Sequence, residues 1–292
     1  MSPSSAQPAP STSSSRDGDA AAAPVALEVA DIVKGFDAIG ERVIAVDHVS
    51  FAVQAGEVVS VIGPSGCGKS TLFNIIGGLI EGDEGRVTVE GSIVSGPHAA
   101  IGMVFQEEST FPWRTVIENV SFPLELAGMA KDERLLRARD YLQLVGLRGF
   151  ERHYPSELSG GMRQRVAIAR TLAFGPKILL MDEPFAALDE QTRFLLGDKV
   201  LQIQQQLAQT TLLITHNIAE AVQLSDRVVV MTYRPGRVKR IVSIDLPRPR
   251  SSEVVGSGEF GHYVAEIWND LREEASRGMQ DAEARSLRSA TS

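Results

Sequence analysis

An α/β protein, with a largely parallel sheet and helices on both of its faces, is what this 292-residue sequence predicts. Three observations predict it. Short apolar runs of strand length alternate with helical stretches through most of the chain. One of those runs leads directly into a glycine-rich loop and then a helix. The longest apolar runs, "KILLM", "TTLLIT" and "RVVVM", are strand-sized and bounded by polar residues, well short of the roughly 18 to 20 residues that span a bilayer.

The elements follow in order. Residues 1–24 consist mostly of Ser, Ala and Pro, with almost nothing to bury, and are expected to be a disordered tail. They lack the basic start and apolar stretch of a signal peptide, and Asp17 and Asp19 are unsuited to a transit peptide, so export is not expected. From Val25 come the strand-like runs "VALEVADIV", "VDHVSFAV" and "EVVSVIG", the helix "KSTLFNIIGGL", and the strands "GRVTVEG" and "AIGMVFQ". The texture is then helical from about Val116 to Ala173, so residues 107–173 read as a helical insertion between strands. The rhythm resumes with "KILLMDEP", a long helix through "RFLLGDKVLQIQQQLAQ", the strand "TTLLITH", a short helix and "DRVVVMTY". The organisation expected is one domain over 25–250 and an extension over 251–292, in which "EFGHYVAEIWNDLREEA" forms an amphipathic helix before a polar tail.

Composition narrows the function. A formal net charge of -8 argues against nonspecific nucleic-acid binding as the main task. The single cysteine, Cys67, excludes an internal disulfide and suits a reducing cytoplasm. Any work at a membrane requires another chain to hold this one there.

Gly63, Gly68, Lys69 and Ser70 satisfy G-x-x-x-x-G-K-[ST], with a strand before and a helix after. The loop Gly63, Pro64, Ser65, Gly66, Cys67, Gly68 turns backbone N–H groups inward around phosphates, and the helix N-terminus adds its partial positive charge. Lys69 reaches the β and γ phosphates, the Ser70 hydroxyl is a hard ligand for Mg²⁺, and Thr71 adds a hydroxyl to the α phosphate. Cys67 is small-residue filler there, since only its backbone is needed. In "ILLMDEP" an apolar strand ends in two carboxylates beside that loop. Asp182 is expected to hold Mg²⁺ through its water shell, and Glu183 to act on the attacking water. His216 closes "LLITH" and points to the γ phosphate, while Gln106 ends "IGMVF" with an amide for Mg²⁺ or the water.

A second glycine-opened helix start, "ELSGGMRQRVAIAR", resembles the signature of ABC-type ATPases, and the rest of that family's motifs stand in the same order over about Val25 to Leu246. The resemblance implies a P-loop NTPase cassette with a RecA-like, mostly parallel sheet, an antiparallel β subdomain and an inserted helical subdomain. It implies a Q-loop glutamine at Gln106, a Walker B strand in "LLMDEP", a D-loop ending at Asp189, a switch histidine at His216, and Phe36 where an aromatic stacks on adenine. It also implies that ATP and Mg²⁺ are sandwiched between two copies of the chain, with Ser159, Gly160 and Gly161 acting on the γ phosphate held by the partner. Met162, Ala186 and Asn217 depart from the family's usual Gln, Ser or Gly, and Asp, without touching a catalytic atom.

Three loads remain open from the motifs: a membrane importer, an exporter or cell-division complex, or a soluble machine acting on DNA or ribosomes. The last lacks its hallmarks here, since there are no sustained heptads and no second cassette. "TFPWRTVIENV" and "YRPGRVKRIVSIDLPRPR" are similar to the importers of nitrate, taurine and other sulfonates. That resemblance implies an integral permease, a periplasmic or lipid-anchored solute-binding protein, no nucleic-acid partner, and a place on the cytoplasmic face of the membrane. Trp113 is then either a core anchor or part of a groove for the permease. Pro112 and its polar neighbours favour a loop and hence the groove.

Overall fold

A computed structural model describes residues 23–290, except 39–40, 107–108, 187–192, 194–196, 198–199, 201 and 204–205. In chain order its elements are β1 (Val25–Ala38), β2 (Glu41–Gln54), β3 (Val58–Ile62), α1 (Lys69–Ile76), β4 (Glu84–Val89), β5 (Ser92–Ile93) and β6 (Ile101–Val104). They continue with α2 (Val116–Leu126), α3 (Lys131–Leu144), α4 (Gly160–Phe174), β7 (Ile178–Asp182), β8 (Thr210–Ile214) and α5 (Ile218–Leu224). The last are β9 (Arg227–Met231), β10 (Val238–Ser243), α6 (Ser252–Val255) and α7 (Gly258–Ala290).

The strands form two sheets. One has the order β2-β1-β4-β5 and is antiparallel, and the other has the order β10-β9-β3-β8-β7-β6. In the second sheet all neighbours are parallel except the β10–β9 pair. Its central strands "VVSVI", "ILLMD" and "TTLLI" are buried at every residue, as strands covered on both faces must be.

The two-residue period of a strand divides the interior. Along β7, Ile178 and Leu180 join a core with α1 and the antiparallel sheet, while Leu179 and Met181 join a core with α2, α3 and α4. Along β9, Val229 and Met231 face the first core, and Val228 and Val230 pack on a third one made with α5, β10 and α7. Among the described residues, no helix is long and apolar enough to cross a membrane.

Some boundaries differ from the sequence pattern. β1 and β2 are 14 residues each, longer than the alternating runs suggest, because their ladder continues through irregular register shifts up to Ala38↔Glu41. The polar end of the chain is helical through Ala290 as part of α7 rather than a tail. Its sequence "SRGMQDAEARSLRSA" is rich in good helix formers but has no sustained apolar stripe, so periodicity stops before helix propensity does. Phe260 and Ile267 anchor this helix in the third core.

Candidate functional site

β3, β8, β7 and β6 are parallel neighbours, so their C-terminal ends lie along one edge of the sheet. The loop after β3 enters α1 through Gly68, whose φ of 96° is left-handed. A Cβ at Gly68 would stand 2.4 Å from the Ala45 carbonyl oxygen, so the loop can lie against β2 only with glycine there. Lys69 is buried inside the loop, where its Nζ donates to the carbonyls of Gly63 (2.8 Å) and Pro64 (3.0 Å). Cys67 points inward and is fully buried. Burial pushes its thiol up against the opposing pull of Lys69, so it is a protonated core group rather than a reactive thiolate.

Asp182 closes β7 and is buried. Burial first, and the adjacent Glu183 next, raise its carboxyl above the usual range, while hydrogen bonding with Ser70 and the charge of Lys69 oppose the shift. Glu183 follows with a left-handed φ of 45°, an uncommon and costly conformation for a residue with a side chain. It is held there by its N–H, which donates to Ile214 O at 2.8 Å, and by its carbonyl, which accepts from Ala186 N at 3.1 Å. The turn aims the carboxylate at two other strand ends. Gln106 Nε2 donates to Glu183 Oε2 at 3.1 Å, and His216 Nδ1 lies 3.2 Å from Oε1. The residues after β6, β7 and β8 therefore meet on one carboxylate.

Phe36, Val43, Ala45, the loop residues Ser65 to Thr71, Glu183 and Arg234 line a cleft of about 490 Å³, with Cys67 turned inward behind the loop. Phe36 is half-exposed at its mouth. Ser159, Gly160 and Gly161 do not line this cleft. They open α4, where Ser159 Oγ accepts from Met162 N at 3.3 Å. Asp189 lies outside the described residues.

Helix α4 is tied to the segment that follows β6. Gln164 Nε2 donates to Phe105 O at 3.3 Å, Arg170 Nη2 donates to Ser109 Oγ at 2.7 Å, and the Arg170 guanidinium lies 5.0 Å from the centre of the Phe111 ring. Buried Asn119 fixes the next turn by accepting from Phe111 N (2.7 Å) and donating to the carbonyls of Phe111, Arg114 and Thr115. That turn presents Trp113, which is 72% exposed, with its ring centre 5.6 Å from that of Phe111, whose other aromatic neighbour is Phe122 at 4.8 Å. The core-anchor reading of Trp113 does not hold.

Two polar residues beyond those expected stand at the site. Arg234 reaches the cleft from the turn between β9 and β10. Glu220, one turn past His216, is buried, and its carboxyl is pushed up to about 7 by burial. Asn217, a departure from the family's usual Asp, caps α5 by accepting from Glu220 N at 3.1 Å. An Asn followed three residues later by Glu has the spacing of a helix-capping pair.

The ABC transporter family model matches residues 46–186. An uncharacterized ABC transporter ATP-binding protein of Methanocaldococcus jannaschii is 51% identical over 256 residues, 88% of this chain and 95% of the relative. The nitrate import ATP-binding protein of Synechocystis is 45% identical over 254 residues, 84% of this chain and 95% of the relative. The taurine import ATP-binding protein of Burkholderia pseudomallei is 47% identical over 204 residues, 70% and 78% respectively. Among solved structures, a dimeric ATP-binding cassette in a post-hydrolysis state bound to ADP and Pi is similar at a TM-score of 0.68 and 33% identity, covering 75% of this chain and 98% of that one.

Proposed function

We propose, from the premise that this chain belongs to the ABC transporter family and is an ATP-binding ATPase of it, that it powers uptake of a small oxyanion of the nitrate or sulfonate type through a separate permease. One observation carries the chemistry: Gln106 and His216 both meet the carboxylate of Glu183 beside the phosphate loop. In this reading Glu183 accepts the proton of the attacking water, while Gln106 and His216 orient that carboxylate and line the approach to the γ phosphate. Lys69 exchanges its loop carbonyls for phosphate oxygens, the N–H groups from Ser65 to Thr71 cradle the phosphates, and Phe36 stacks on adenine. Asp189 completes the set as the D-loop residue.

Mg²⁺ fits this site because the Ser70 hydroxyl and the Asp182 carboxyl, both hard oxygen donors, are hydrogen-bonded to each other at the start of α1. Gln106 supplies a further amide oxygen. Held by Ser70 and Asp182, the ion would supply positive charge to offset that of the phosphates. Asp182, buried next to a second carboxylate, is a group whose charge such a cation would relieve.

Two copies of the chain work together in this proposal, each offering Ser159, Gly160 and Gly161 to the nucleotide of the other. The solved relative is a dimer with ADP and Pi. The nitrate and taurine importers among the relatives support this solute class, taurine being itself a sulfonate. A permease, a solute-binding protein and a place on the cytoplasmic face of the membrane complete the assembly. The proposed helical subdomain over 107–173 would be the part that touches the permease. Measuring nitrate and taurine uptake in a deletion strain complemented with wild type or Lys69→Ala tests this. Uptake of one of the two restored by wild type alone is expected. Uptake of both unaffected by the deletion would overturn the solute class.

A further inference from the structure

We infer that Arg234 is a nucleotide-binding residue that pairs with the anionic part of the ligand, and that the C-terminal helix α7 holds it in position. The inference rests on the reading of the cleft as the ATP site. Three observations on this chain carry it.

The first is the position of the turn between β9 and β10. Gly236 N donates to Ala45 O at 3.0 Å, and Gly236 O accepts from Asp47 N at 2.9 Å. A Cβ at Gly236 would stand 2.0 Å from the carbonyl oxygen of Cys67, so the turn presses on the back of the phosphate loop as closely as glycine allows. Two residues earlier, Arg234 extends along the loop and lines the cleft together with Phe36 and Lys69.

The second is the state of its charge. Its neighbours are paired with carboxylates: Arg237 with Asp47, Lys239 with Glu273 and Glu274, and Arg240 with Glu266 and Asp270. Arg234 has no carboxylate partner among the described residues. Its Nη2 makes a long 3.4 Å bond to Gly66 O, and its Nε is buried with no partner. A guanidinium has five donors in a planar fork suited to phosphate oxygens. A half-buried one with most of those donors unused, beside an anion-binding loop, is arranged for an anion that arrives.

The third is what holds the turn from behind. Tyr233 N donates to buried Glu274 of α7 at 3.0 Å. A Cβ at Gly278 would stand 2.9 Å from the Tyr233 ring, so the helix packs tightly on that residue. Helix α7 thereby fixes the residue next to Arg234.

Titration calorimetry with ADP, which avoids turnover, tests the proposal on the full chain. Arg234→Ala should weaken ADP binding about tenfold, the scale of a lost charge-assisted hydrogen bond. Arg234→Lys should recover part of the loss, and the loss should shrink at high salt. If Arg234→Ala fails to fold by its melting curve, Arg234→Gln replaces it. Wild type that binds ADP, with Lys69→Ala impaired and Arg234→Ala unchanged, would overturn the arginine and leave the cleft intact. A loss independent of salt would overturn its pairing with charge. Wild type that binds no ADP would overturn the cleft reading and this inference together.

Discussion

The helix starts of α1 and α4 both carry glycine, at Gly68 and at Gly160 and Gly161, and they sit in opposite surroundings. At α1, Gly68 leads into Lys69 at the base of a cleft walled by Phe36, Val43 and Arg234, with Asp182 and Glu183 alongside. At α4, Ser159 caps the first turn with its own hydroxyl and is exposed, with Gly160 and Gly161 only half-covered. Each offers unpaired N–H groups and the positive end of a helix dipole. What differs is the second half of a site, the charges that neutralise, orient and react. The difference teaches that a helix N-terminus is a capacity for anions, and the tertiary surroundings decide whether it is a full site or half of one. In the proposed dimer the α4 start is the half.

The largest effect belongs to the full site. Glu183→Gln should cut ATP turnover by about 10²- to 10⁴-fold while ATP binding persists, because an amide cannot accept the proton of water. Phosphate release from the purified variant measures this. Release near the wild-type rate would remove Glu183 from its role and with it the sharpest distinction between the two helix starts.

Next comes the half site. Lys69→Ala spoils the cradle of a subunit, and Ser159→Glu sets a negative charge against the γ phosphate of the other copy, so either homodimer should be inactive. A mixed dimer gathers both defects into one composite site and leaves the second intact, so activity of roughly a quarter to a half of wild type should return on mixing. Proven mixed dimers with no recovery would mean that α4 serves its own chain, and the comparison would collapse.

These predictions could be framed from sequence because the motif residues sit at strand ends. A parallel sheet forces Gly63, Gln106, Asp182 and His216 to one edge, so strand order alone gathers residues far apart in the chain. The positive φ of Glu183 was not legible, since no spacing marks a single left-handed residue. Nor was Arg234, which meets the loop across a sequence separation of 168 residues because β9 lies beside β3 in the sheet. The helical end of α7 escaped because it follows propensity without an apolar stripe. Local patterns report faces and caps, whereas the walls of the cleft come from long-range packing.

A smaller effect lies behind the full site, at Glu220. Burial raises its carboxyl from 4.5 to about 7, with the Thr215 hydrogen bond and Arg193 pulling down and Glu183 pushing up. Between those values the folded chain holds a proton that the unfolded chain has released, so stability falls as pH rises from about 4.5 to 7, by at most about 3 kcal/mol. Glu220→Gln should flatten that part of the pH profile of unfolding. Matching denaturant midpoints for both proteins across this window would show that Glu220 carries no such burden. An observed flattening would add that the full site is built partly at the cost of stability, as buried acids beside catalytic groups often are.

The smallest effect on the isolated chain, and the most telling for the half site, is expected at Trp113. The indole is 72% exposed, yet it stands on a turn fixed by four Asn119 hydrogen bonds and backed by the Phe111 and Phe122 rings. Leu126, the last residue of α2, is 73% exposed as well. A rigid turn that presents an aromatic ring to solvent has the form of a docking anchor, because the ordering entropy is already spent before a partner arrives. The same segment leads back to Gln106 at one end and, through Arg170, to α4 at the other. A permease helix seated on Trp113 would therefore share one connection with the γ-phosphate edge and with the α4 start. Trp113→Ala should change the stability of the isolated chain by less than about 1 kcal/mol and leave ATP binding intact, since little buried area is lost. In the assembled transporter it should lower uptake severalfold while ATP hydrolysis continues. Comparing melting curves of the chain with uptake by reconstituted vesicles separates the two effects. Unchanged uptake would sink the docking role, and a fall of many degrees in melting temperature would mean that the indole carries packing its exposure does not reveal.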